Sequence, residues 1–171
     1  MFRKEKQQQQ ANRAARWQAG FSLIELLVVV AIILIIAAIA IPNFLRSKMA
    51  ANEASSVNSL RSYTTANITY NSLCPSIGYP ATLADLGPGT GQCTGGANIV
   101  DKVLGVAAPI KAGYSFTYLP IAAGGSNIQY TLNADPTALG ISGSRGFYSD
   151  ESGVLRYALG APATAASSAL Q

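Results

Sequence analysis

The longest apolar stretch of the chain runs from Phe21 to Ile41 and contains a single charged side chain, that of Glu25. An α-helix of this length rises about 31 Å, which matches the hydrocarbon thickness of a bilayer. A carboxylate at the centre of a membrane helix costs ~2.5–3.5 kcal/mol, and less near the interface. We therefore predict a helix over 21–41 that is able to cross a membrane. Membrane anchoring alone does not explain why this helix contains Glu25.

After Pro42 the helical pattern continues but becomes amphipathic. One predicted face carries the more apolar side chains: Leu45, Met49, Val57, Leu60, Thr64 and Ile68. Polar side chains fill much of the opposite side: Ser47, Asn52, Ser55, Asn58, Arg61 and Ser62. These spacings predict one helix from about Phe21 to Tyr70, whose second half, 42–70, packs on a globule. Pro42 removes one backbone donor and should kink or weaken this helix.

Residues 71–112 are rich in Gly, Pro, Thr and Asn, which predicts a connecting loop with one helical turn near Asp101–Leu104. Cys74 and Cys93 bracket part of this loop. A disulfide between them would close a ring that stabilises the fold by about 3 kcal/mol. A two-cysteine metal site is the alternative, but the chain has no histidine and no accompanying carboxylate cluster. The sequence favours the disulfide.

Residues 113–160 change to an alternating pattern that predicts four antiparallel strands. They are expected at Tyr114–Leu119, Ile128–Leu132, Gly146–Ser149 and Val154–Ala158. The Ala- and Ser-rich segment 161–171 is predicted to be a flexible tail. The fold class is therefore α+β: a long N-terminal helix, apolar and then amphipathic, packed on a small four-stranded antiparallel sheet.

The excess positive charge is confined to the beginning of the chain. The net charge of +4 resides in residues 1–20, and the rest of the sequence balances to zero. Nucleic-acid binding is therefore not indicated, because it needs Lys and Arg clustered on the folded part. The positive-inside bias instead predicts a cytoplasmic N-terminus and a C-terminal part across the membrane, where a disulfide can persist.

Catalysis has little support in the sequence, and no cofactor or metal site is predicted. Without histidine, catalytic triads and most metal hydrolase sites are excluded. The loop acids Asp85, Asp101, Asp150 and Glu151 match no calcium-loop spacing. We expect the chain not to be an enzyme.

Length and charge alone leave three interpretations of the apolar run. The first is a secretory signal cleaved after Ala40, since Ala38-Ile39-Ala40 has the small-x-small pattern, which would release an exported soluble binding protein. The second is a plain uncleaved anchor, as in a tethered enzyme. The third depends on the residues around Gly20.

The stretch Gly20-Phe21-Ser22-Leu23-Ile24-Glu25, followed by a long apolar helix and Ile41-Pro42-Asn43-Phe44, resembles the class III leader of type IV pilins and type II secretion pseudopilins. The segments 51–54 (ANEA) and 78–86 (GYPATLADL) are similar to weaker signals of pilin-like proteins. The resemblance implies the pilin fold and a leader, 1–20, that a prepilin peptidase cuts between Gly20 and Phe21. The same enzyme would N-methylate Phe21.

The resemblance also implies how the chain functions. It would be a structural subunit that polymerises with its own copies through the helix 21–41, with Glu25 meeting the N-terminal amine of a neighbouring subunit. Pro42 would mark either a simple bend or a segment that melts when subunits pack. An assembly platform in the inner membrane, with a cytoplasmic ATPase, would extract the membrane-held precursor into an extracellular or periplasmic filament. Major pilin, minor pilin and pseudopilin remain open, as do roles in adhesion, motility, DNA uptake and secretion.

Overall fold

The computed structural model describes residues 20–170. The chain divides between Asn43 and Phe44 into two compact units, here called unit 1 and unit 2. A single helix, α1 (Leu23–Leu73, 51 residues), belongs to both. A short 3₁₀ helix (Leu83–Leu86) and a six-stranded sheet complete unit 2. The predicted α+β class and the single long helix are confirmed.

The helical assignment continues through Pro42. Because proline has no N–H, Pro42 cannot donate the helical hydrogen bond to the carbonyl four residues before it. The side-chain amide of the next residue, Asn43, donates to the carbonyl of Ile39 at 3.0 Å. Whether Pro42 weakens α1 stays a prediction.

The sheet of unit 2 is an antiparallel meander in which each strand pairs with its sequence neighbours. The strands are β1 (Ile110–Lys111), β2 (Tyr114–Ala123), β3 (Ser126–Pro136), β4 (Arg145–Asp150), β5 (Arg156–Leu159) and β6 (Ser168–Ala169). The four predicted strands correspond to β2–β5. The sheet has six strands rather than four because β1 and β6, of two residues each, are too short to show an alternating pattern.

The segment predicted as a flexible tail contributes β6 to the sheet. Ser168 pairs with Tyr157, and the N–H of Leu170 donates to the carbonyl of Leu155 at 2.7 Å. Ala163 is buried, and its carbonyl accepts a bond of 2.8 Å from the side-chain amide of Asn133. Specific contacts, which composition does not reveal, therefore tie the described part of this segment to unit 2.

The core lies between the sheet and the second half of α1. The helix residues that are buried there are Glu53, Ser56, Ser59, Leu60, Tyr63, Ala66, Asn67 and Tyr70. Tyr63 packs edge-on against Phe116 of β2, with ring centroids 5.6 Å apart. The prediction of which face of α1 is buried is wrong, because the buried face is rotated about the helix axis from the predicted one. Ile68 of the predicted apolar face is 54% exposed, and Leu60 is the only residue of that face that is fully buried. Tyrosine, serine and asparagine form most of the true core face, since the sheet and the loop cover them.

The predicted disulfide joins Cys74 and Cys93, whose Cα atoms are 5.7 Å apart. Two buried tyrosines of α1 hold the same loop region. Tyr70 donates its hydroxyl to the carbonyl of Cys93 at 2.6 Å, and Tyr63 donates to that of Leu104 at 2.8 Å. The helical turn predicted near Asp101–Leu104 is present, with the N–H of Gly105 bonded to the carbonyl of Asp101 at 2.8 Å.

A buried carboxylate fixes the start of β4 against α1. Glu53 accepts the N–H and hydroxyl of Ser144 at 2.8 and 2.9 Å, and Arg145 binds its other oxygen at 2.7 Å. Burial by itself would raise the pKa of Glu53, but the hydrogen bonds and the guanidinium outweigh it and lower the pKa below 4.5. Glu53 therefore stabilises the fold in its charged form.

Removing the disulfide should destabilise unit 2. We expect the variant Cys74→Ala/Cys93→Ala to lose about 3 kcal/mol of unfolding free energy, because the unfolded chain regains the freedom of the ring. Urea unfolding in detergent, followed by near-UV circular dichroism of the buried tyrosines, measures this loss. Reduced wild-type protein is the control, and its urea midpoint should equal that of the double variant. A midpoint equal to that of the oxidised wild type in both samples would contradict the prediction.

Glu53→Gln should destabilise unit 2 in a pH-dependent way. A hydrogen bond to a charged group contributes ~1.5–3 kcal/mol to stability. We therefore expect the unfolding free energy to fall by about 2 kcal/mol at neutral pH. Because the folded-state pKa is lowered, this stabilisation is present above the ordinary pKa of 4.5 and disappears as the pH falls through the folded value. The difference between wild type and variant should therefore shrink in acid. The exposed Glu151, replaced by Gln, is the matched control, and a pH-independent difference would refute the assignment.

Candidate functional site

The peptide bond between Gly20 and Phe21 lies in a stretch without regular secondary structure just before α1. A Cβ placed on Gly20 would meet no atom within 4 Å, and the Phe21 side chain is 81% exposed. Glycine allows the backbone to approach a protein surface closely. Within the described residues, this bond is therefore open to an enzyme on both sides.

Glu25 lies in the first turn of α1. The N–H of Leu26 donates to the carbonyl of Ser22 at 3.1 Å, so the helical bonding begins at Ser22. A negative charge in the first turn is favourable, since the helix dipole is positive there. Within residues 20–170 the ion pair of Glu53 with Arg145 is the only one, so no described cation neutralises Glu25.

The apolar part of α1 presents its side chains outward. From Leu23 to Ile41 the large aliphatic side chains are 45–80% exposed. By length and composition, α1 could cross a membrane. Exposed apolar surface of this extent marks an interaction with lipid or protein. Glu25 is therefore a single acid within an apolar surface that the described residues leave exposed.

The other predicted site residues have different surroundings. Pro42 lies inside α1, and Cys74 and Cys93 are brought together in unit 2 as a disulfide. Within the described residues, no cluster of three or more potential metal ligands forms. A groove of about 420 Å³ beside α1 has Asp101 and Lys111 among its lining residues. The Asp101 side chain accepts the N–H groups of Val103 and Leu104, which lower its pKa and cap a turn.

The pairing of Glu53 with Arg145 was not predicted from the sequence. Glu53 belongs to the segment 51–54 that supported the resemblance, and it is the only acid in the amphipathic half of α1. A lone acid on a helix predicted to pack against a sheet was the available signal. Its partner Arg145 is 92 positions away in the sequence and could not be identified without the fold.

Comparison with known proteins agrees with this geometry. Residues 18–41 match the family described as the prokaryotic N-terminal methylation motif. Searches of curated proteins and of solved structures found no match to the chain. The motif spans the bond between Gly20 and Phe21, Glu25 and the apolar part of α1. Over residues 18–41 the chain therefore carries the signature of the type IV pilins and pseudopilins.

Proposed function

We propose that the chain is a prepilin, the precursor of a structural subunit in a type IV pilus or pilus-like filament. The observation that carries this proposal is the methylation motif at 18–41, which coincides with an exposed apolar helix that contains one acid. A prepilin peptidase cleaves between Gly20 and Phe21 and methylates the new amine. The subunit then polymerises with its own copies through the first part of α1.

The exposed aliphatic surface of α1 supports both states in this proposal. In the precursor, lipid covers the helix, since its length matches the bilayer. In the filament, the helices of neighbouring copies replace the lipid. Lipid tails are about as apolar as leucine, so this exchange gains little free energy by itself. Extraction therefore needs an assembly platform in the inner membrane and energy from a cytoplasmic ATPase.

Glu25 supplies what apolar packing cannot, which is a defined register. Cleavage creates an α-amine at Phe21, and the carboxylate of Glu25 in an adjacent copy pairs with it. An unpaired charge in an apolar bundle costs several kcal/mol, whereas a paired one costs far less. A subunit in the wrong register leaves both charges unpaired. Pairing between copies also explains why this acid occurs in an otherwise apolar stretch.

The same proposal places the two units in different surroundings. The leader stays in the cytoplasm and unit 2 lies across the inner membrane, as the basic residues before the apolar stretch favour. In the extracellular or periplasmic filament, the loop and sheet of unit 2 form the surface that meets other molecules. The disulfide of this surface suits such an oxidising compartment.

The processed N-terminus distinguishes this function from its alternatives. We expect mass spectrometry of protein from cells that contain a prepilin peptidase to show a chain beginning with N-methylated Phe21. A chain beginning at Ile41 would instead indicate a signal peptide cleaved after Ala40. An intact leader would indicate a permanently anchored protein.

Gly20→Val should leave the leader uncleaved, because the added branched side chain hinders entry into the protease cleft. Nothing in the described structure lies near this position, so the fold of unit 2 should not change. Leu23→Ile is the matched control, since it alters neither charge nor size, and it should be processed normally. Normal processing of Gly20→Val would contradict the assigned cleavage site.

Glu25→Val should leave membrane insertion and leader cleavage intact but remove most filament incorporation, because the amine of the neighbouring copy loses its partner. Electron microscopy and quantification of sheared fibres measure the effect. Glu25→Gln keeps the shape without the charge and should fail similarly, whereas the conservative control Leu26→Ile should assemble. Normal filaments from both Glu25 variants would refute the pairing.

A further inference from the structure

The sheet of unit 2 leaves one side of β2 unpaired over most of its length. β2 has ten residues, whereas its neighbour β1 has two and pairs only with the beginning of β2. The N–H of Phe116 donates to the carbonyl of Pro109 at 3.0 Å. Beyond Phe116, no backbone hydrogen bond joins that side of the strand to any other residue between 20 and 170. We call this side of residues 117–123 the open edge.

The bond from Phe116 shows which backbone groups point to the open edge. In an antiparallel sheet, the N–H and C=O groups of successive residues point alternately to the strands on either side. Because the register between β2 and β3 is unbroken as far as Ile121, Tyr118 and Pro120 point to the same side as Phe116. The register shift that follows adds its extra residue to β3, so Ala122 also points to the open edge.

Hydrogen bonds of β3 confirm this direction for Ala122. Its partner across the hairpin is Asn127. The N–H of Asn127 donates to the carbonyl of Ile77, and its carbonyl accepts the N–H of Tyr79, both at 2.8 Å. Asn127 therefore directs its backbone groups away from β2. In such a pair both residues point away from each other, so the backbone groups of Ala122 point away from β3.

The side chains of β2 favour the addition of another strand. Its sequence, YSFTYLPIAA, is rich in aromatic and β-branched residues and contains no charged side chain. Leu119 and Ile121 are 60% and 44% exposed. An exposed, uncharged strand of this kind is a template on which a further strand can pair.

Pro120 interrupts the row of backbone donors along the open edge. It lies between Tyr118 and Ala122, and it is the only residue of β2 that has no N–H. Proline in a sheet is confined largely to edges, with its nitrogen directed outward, and it is one of the features by which proteins protect such edges. At the opposite end of the sheet the last strand, β6, has only two residues, and a very short edge strand gives the same protection.

We propose that Pro120 prevents the open edge from pairing with the open edge of a second copy of this chain. Two identical edges are self-complementary about a two-fold axis, so their pairing would join two sheets into one. With Pro120 in place, the facing strand meets no donor at the centre of the contact, and one of its carbonyls stays unpaired. Copies can therefore come close together without joining through β2. The inference concerns unit 2 alone and does not depend on the proposed filament.

Three variants of the full-length chain in detergent test this proposal. Pro120→Thr restores the missing N–H with a residue that suits a strand. Pro88→Thr is the matched control, since it replaces an exposed proline that lies in a loop outside the sheet. The double variant Pro120→Thr/Ala122→Pro moves the proline to the next outward position. Association through α1 is common to all samples, so a difference between them reports on the open edge.

Sedimentation and amide hydrogen exchange are measured over a range of protein concentrations. In wild type and Pro88→Thr, the amides of Tyr118 and Ala122 should exchange rapidly at every concentration. In Pro120→Thr their exchange should slow, and the sedimenting species should become larger, as the concentration rises. The double variant should behave as wild type. The amide of Leu119 points to β3 and should stay protected in all samples, which shows that the hairpin is intact.

Four results would overturn the proposal. Sedimentation and exchange of Pro120→Thr that match those of Pro88→Thr would show that the proline protects nothing. Association that persists in the double variant would assign it to another surface. Association accompanied by loss of protection at Leu119 would assign it to an opened hairpin. Slow exchange of Tyr118 in wild type at every concentration would show that the edge is already covered.

Discussion

The exposed aliphatic surface of the first part of α1 is the constraint on which the rest of this protein depends. Its large side chains from Leu23 to Ile41 remain 45–80% exposed in the folded chain. Removing such surface from water is the dominant favourable contribution to folding and association. The core of unit 2 does not use this surface, and in the proposed precursor and filament lipid and then other copies cover it.

The two acids of α1 show two solutions to the problem of a carboxylate in apolar surroundings. Glu53 is buried, and Ser144 and Arg145 satisfy both of its oxygens within the same chain. Glu25 is exposed at the first turn, and no described residue forms an ion pair with it. The first carboxylate fixes an internal contact between α1 and β4. The second, in the proposed filament, fixes a contact between copies by the same electrostatic reasoning.

Unit 2 is held together by tyrosine as much as by aliphatic packing. Tyr63 and Tyr70 contribute large buried rings from α1, while their hydroxyls bond to carbonyls of the long loop. A buried tyrosine generally needs such a partner for its hydroxyl. The disulfide closes the same loop by a covalent route. Together with the burial of Leu83, Leu86 and Leu104, these contacts order a Gly- and Pro-rich segment.

The sequence by itself determined the features that depend on neighbouring residues. The apolar length of 21–41, the position of Glu25, the four alternating strands and the lone cysteine pair could all be recognised locally, because helices and strands impose short periods on side-chain polarity. The motif at residues 18–41 is local in the same sense.

Only the tertiary structure decided which face of α1 is buried, because residues such as Asn67 and Tyr63 appear polar until a sheet covers them. It also decided the pairing of Glu53 with Arg145 and the addition of β1 and β6 to the sheet. These features join residues far apart in sequence or involve strands of two residues. No local period records them, so the folded chain alone brings their partners together.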